Sequence, residues 1–102
     1  MRYNIYESVN STLDSFKQNI ETINQVFDSL INSPNTPDTT LNAFTSEGIN
    51  RLNEVVTYTK NVVNLKLLTE AQREKIKPKA EDVNLIASNT IVRMLNAKPK
   101  TE

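Results

Sequence analysis

Cysteine, histidine and tryptophan are absent from this chain, and glycine occurs once. Without cysteine there is no disulfide, no thiolate metal site and no thiol nucleophile, and the redox compartment is left open. Without histidine the commonest general base and the commonest metal ligand are missing as well. One glycine and four prolines in 102 residues are too few turn formers for a sandwich or barrel of short strands. No run of 18 apolar residues occurs, and the opening MRYNIYESVN lacks the charged-then-apolar layout of an export signal, so neither a membrane span nor export is expected. The site templates fail in turn. A serine triad lacks its histidine, a P-loop or dinucleotide turn lacks its glycines, and zinc motifs lack their ligands. The expectation is a chain that is not an enzyme and takes no cofactor, no metal and no small-molecule substrate.

Net charge is zero, yet it is unevenly placed. Residues 1–50 hold two basic against six acidic side chains, −4, and residues 51–102 hold ten against six, +4. Such a split reads either as two ordinary solvated faces, or as one half facing the other or two copies meeting head to tail. A length of 102 residues with 37% hydrophobic and 24% charged residues fits a single helical domain over 1–102 with a modest core. Surfaces supplied by a partner or a second copy would then matter.

What the chain does have is a repeat. The tetrads YESV, LDSF, IETI and FDSL begin at Tyr6, Leu13, Ile20 and Phe27, and each reads apolar, acidic, hydroxyl, apolar. Setting those four at heptad position a puts Val9, Phe16, Ile23 and Leu30 at d, so all eight seam positions are apolar. With no glycine or proline over residues 3–32, this predicts one coiled-coil-like helix of roughly 40 Å, stopped by the loop at 33–37 with Pro34 and Pro37. A rod that long calls for long neighbours, and a stripe closed partly by other chains is expected. Positions e and g lack alternating Glu and Lys, and aromatics occupy seam sites. Both features favour a bundle of three or more helices over a two-stranded zipper.

Position b is always acidic (Glu7, Asp14, Glu21, Asp28) and position c always carries a hydroxyl (Ser8, Ser15, Thr22, Ser29). The acids read either as a solvated outer face or as a docking row for a basic partner. Carboxylates seven residues apart are too distant to share a metal ion.

A second helix is predicted over about 38–68, opened by Asp38, Thr39 and Thr40 and weakened near Gly48. A buried strand around VVTYTKNVVNL competes with it. Alternation fails there, because Val55 with Val56 and Val62 with Val63 come as adjacent pairs. Thr69 and Gln72 have capping-box spacing for a short helix over 70–77, and Pro78 either ends it or kinks a longer one. A last helix over 80–97 is followed by a loose tail at 98–102 with Pro99. Lys66, Arg73, Lys75, Lys77 and Lys79 form the clearest basic cluster, a candidate docking patch with no aromatic residue interleaved. Nucleic-acid binding is therefore conceivable but not favoured.

The architecture expected is all-α, an elongated bundle of three to four helices. The function expected is assembly or structural support through helix–helix contacts with a protein partner or with itself as a homo-oligomer. A small regulator that masks a partner is the alternative, and a nucleic-acid adaptor comes third. Fourteen asparagines among many Ile, Lys and Thr suit an AT-rich genome such as that of a bacteriophage or a low-GC bacterium. Location is left unknown by the sequence, and without an evident signal peptide a cytoplasmic or virion-associated protein is expected. Ile20→Asp or Ile23→Asp is expected to abolish the cooperative thermal transition or dissolve the assembly, because the charge would lie unpaired in the seam. Glu21→Gln is expected to leave the transition unchanged by circular dichroism.

Overall fold

The computed structural model describes residues 4–97, so the expected helix start at residue 3 and the tail at 98–102 fall outside the described residues. The described residues form three helices: α1 (Ile5–Asn32), α2 (Asp38–Val62) and α3 (Glu70–Ala97). They form an elongated bundle with principal extents of 52 × 26 × 16 Å, and no strand occurs among the described residues.

Local chemistry sets each boundary. Asn4 caps α1, its side-chain oxygen accepting from the Glu7 amide at 3.1 Å. The loop at 33–37 turns with a bond from the Thr36 amide to the Ser33 carbonyl. The N-cap of α2 is Pro37, one residue before the Asp, Thr, Thr run, and no side chain caps this end. Thr69 and Gln72 form a reciprocal capping pair at the start of α3: the Gln72 amide donates to the Thr69 hydroxyl, and the Thr69 amide donates to the Gln72 side chain.

Three expected boundaries differ. The helix from residue 38 ends at Val62 instead of about 68, and the turns that follow leave Leu67 exposed while tucking Leu68 into the core. The Arg73 guanidinium reaches back to the Leu65 and Leu68 carbonyls, which satisfies acceptors that a continued helix would have bonded itself. Gly48 does not interrupt α2, because it is buried where the helix passes close to Met94 of α3. The segments 70–77 and 80–97 are one helix that runs through Pro78. Pro78 is exposed, whereas Ile76, Ala80 and Val83 on either side of it are buried. A proline inside a helix costs about 3 kcal/mol, and burying two aliphatic side chains at about 1.5–3 kcal/mol each offsets that.

α3 packs most extensively on α2 and also along α1, while α1 and α2 touch least. Cross-helix pairs fix the directions. Lys17 with Asp82, Asn24 with Thr90 and Asp28 with Arg93 ascend together, so α1 and α3 are parallel. Phe16 against Tyr58 and Phe27 against Phe44 run in opposite senses, so α2 is antiparallel to α1.

All eight seam residues turn inward. Val9, Leu13, Ile20 and Phe27 are buried, Tyr6, Phe16, Ile23 and Leu30 are half-buried, and none of the eight is exposed. Half of the seam is thus closed within the chain, and half is only partly covered. α1 has 28 residues, and the chain supplies neighbours of 25 and 28 residues to lie along it. What stays open is one flank of α1.

Because Pro78 sits within a continuous helix with its ring in solvent, Pro78→Ala is expected to raise unfolding stability by about 1–3 kcal/mol in urea titrations. A neutral or destabilising result would mean that two separate helices meet there.

Candidate docking groove between the first two helices

Every ionisable side chain on α1 lies toward α3 or beside it. Asp14 accepts from Lys79 at 2.9 Å, Lys17 donates to Asp82 at 3.2 Å, and Asp28 pairs with Arg93. All three pairs join positions 65 apart in sequence, so the seven-residue spacing of the acids on α1 is matched by a seven-residue frame on α3. Two members of the acidic row, Asp14 and Asp28, are thus engaged within the chain. Glu7 and Glu21 are exposed and carry no ion pair among the described residues.

Half-buried polar groups strengthen this clasp. The Asn24 side chain donates to the Thr90 hydroxyl at 2.9 Å and accepts from Arg93 at 2.8 Å, and the Arg93 guanidinium lies 4.9 Å from the Phe27 ring centre. One arginine thereby meets a carboxylate, an amide and an aromatic face.

The basic cluster does not come together. Arg73 binds the α2–α3 connection and Lys79 pairs with Asp14, while Lys66, Lys75 and Lys77 are exposed. At 100° per residue, Lys75 and Lys79 fall on the α1 side of α3 whereas Arg73 and Lys77 fall on the α2 side.

The opposite flank of α1 is different in kind. Ile5, Ser8, Thr12, Ser15, Phe16, Asn19, Thr22, Ile23, Val26 and Leu30 follow one side of the helix, and none of them is charged. Where this flank meets α2, two aromatic pairs hold the helices: Phe16 edge-on to Tyr58 at 5.2 Å, and Phe27 stacked on Phe44 at 6.3 Å. Between the pairs the helices part around a groove of about 620 Å³, lined by Phe16, Ile20, Ile23, Phe44, Leu52 and Val55. Gly48 lies in its wall, and the space a Cβ would take there is already filled by Met94 of α3, whose methyl would stand 3.0 Å away. A second hollow of about 540 Å³ continues past the Phe16–Tyr58 pair between Ile5, Val9, Tyr58 and Leu65.

The rim on α2 carries Glu47, Arg51 and Glu54, and Arg51 donates twice to Glu47 at 3.0 and 3.2 Å. Opposite them α1 offers amides, hydroxyls and alkyl groups. Among the described residues no three acidic side chains gather as a metal site would require, and no helix is long and apolar enough to cross a membrane.

No family model, no curated protein and no solved structure matches the chain. The groove went unanticipated because it arises from the pairing of two helices. A helical-wheel plot of α1 would have revealed the charge-free flank.

Arg93→Ala is expected to cost about 1–3 kcal/mol of stability, since it leaves Asn24 and Asp28 without a donor and uncovers Phe27. Asp14→Asn, at a single exposed pair, is expected to cost under about 1 kcal/mol. Urea unfolding of both variants at low and high salt checks the difference.

Proposed function

We propose that this protein is a non-enzymatic helical module that acts by docking an apolar protein helix along the α1–α2 groove, in an assembly or structural role. The observation that carries the reading is the groove with its uncharged α1 wall. Protein contact surfaces are depleted of charge at their centres, and an amphipathic helix laid in an apolar groove is a common mode of recognition. The same groove would serve a masking regulator equally well, with the identity of the partner deciding between the two. Nucleic-acid binding draws less support, because the basic residues are divided between two sides of α3 and two of the five are held within the chain. The AT-rich composition suits a phage or bacterial assembly component.

A photo-crosslinking side chain placed at Asn19, exposed on the groove wall, tests the reading in cells that naturally carry the gene. Protein adducts are expected there, and none is expected from the same side chain at Glu74, on the outer face of α3. Absence of adducts at Asn19, or adducts from Glu74 alone, would remove the groove from consideration.

A further inference from the structure

We propose that the partner seated on the α1–α2 face is a second copy of this chain, related by a two-fold axis near the level of residue 21 so that the two α1 helices run antiparallel. This rests on the docking reading above and names its occupant.

Charge is the first argument. A partner bearing Lys or Glu toward α1 would find no counter-charge along the flank from Ile5 to Leu30 and would leave an ion desolvated and unpaired. A second copy presents the same neutral stripe, so neutral meets neutral along the whole contact. On the α2 rim, Glu47 and Arg51 neutralise each other, and Glu54 stays at an edge that solvent reaches.

A hydroxyl near the proposed axis supplies the second. Thr22 donates to the Gln18 carbonyl, so its proton is satisfied within α1 itself. Covering Thr22 strands no donor. Its lone pairs can accept from an incoming Asn19 amide or from another hydroxyl.

Spacing is the third. Along the open flank Thr12, Phe16, Asn19, Ile23, Val26 and Leu30 follow intervals of 4, 3, 4, 3 and 4 residues. That series is the same read in either direction, and its midpoint is residue 21. An antiparallel copy therefore brings Phe16 opposite Val26, Asn19 opposite Ile23 and Thr12 opposite Leu30 across the two-fold. Every large apolar group on the stripe then has a counterpart, including Val26, which is 41% exposed in the single chain. A strip about 40 Å long and one to two helix diameters wide offers on the order of 400–800 Å² per copy, which reaches the size of a standard interface at its upper end.

The competing surface is the outer face of α3, where Leu85, Val92 and Leu95 are each more than half exposed. Three side chains make a smaller patch there, and the hollow beside Leu85, about 430 Å³, is rimmed by Lys60, Lys77 and Glu81, whose charges an apolar partner would have to desolvate.

Light-scattering mass from about 1 μM to 1 mM tests the proposal. The expected result is a rise from 11.6 kDa toward twice that value, with Val26→Glu weakening association at least about tenfold while its far-ultraviolet circular dichroism and thermal midpoint stay unchanged. Because the chain has no cysteine, Thr22→Cys gives a clean second arm. Near the two-fold it is expected to form an intermolecular disulfide, which needs Cα atoms within about 7 Å, while Glu21→Cys on the other flank is not. A monomer throughout the range overturns the proposal. Crosslinks from Asn19 to a different protein would then leave the docking reading standing, whereas a monomer without such crosslinks removes both. A dimer indifferent to Val26→Glu also overturns it and shifts attention to Leu85, Val92 and Leu95.

Discussion

The clasp between α1 and α3 governs what the molecule can offer a partner. Three ion pairs, each joining residues 65 apart, and the Asn24–Arg93–Thr90 cluster hold the two helices parallel in one register. Each exposed ion pair adds little energy by itself. Their joint effect is on register, since a one-turn slip of α1 would break all of them together and would also move Phe27 from beneath Arg93. The same alignment turns every charge on α1 to one side and leaves the other side neutral.

Packing completes that division. α2 and α3 meet along most of their length, and Gly48 lets α2 come close to Met94. α2 is thereby drawn toward α3, and α1 meets it mainly through the two aromatic pairs. Large rings act as spacers between which the helices part, so the groove follows from ring size above and below it. Buried threonines fit the same economy of polar groups. Thr45, Thr59 and Thr90 each donate to a carbonyl three or four residues earlier, which lets them lie in the core without a stranded proton.

Much of the architecture was legible in the sequence wherever the signal was local and periodic. The heptad from Tyr6 to Leu30 marked the inward stripe of α1 correctly, the prolines at 34 and 37 marked the first loop, and Thr69 with Gln72 marked the start of α3. Features decided by tertiary packing were not legible. Pro78 reads locally as a break, but Ile76, Ala80 and Val83 share one buried face across it and keep the helix whole. Lys79 and Arg73 read as a surface cluster until Asp14 and the carbonyls of Leu65 and Leu68 are brought to them. Long neighbours for α1 come from within the chain, since α2 has 25 residues and α3 has 28, and neither length is visible in the heptad itself. Of the candidate site, the apolar residues Phe16, Ile20 and Ile23 were in view. Their partners Phe44, Leu52 and Val55 across the groove were not.

The central claim is that the uncharged flank of α1 is open in the single chain and is the surface covered on association. Solvent paramagnetic relaxation of side-chain methyl signals, followed against protein concentration, tests it most directly. The account predicts strong relaxation at Ile23 and Val26 in dilute solution, which weakens as concentration rises, while the methyls of Leu85, Val92 and Leu95 keep constant values. Shielding of Val26 already at the lowest concentration, or a change confined to the three α3 residues, would contradict it.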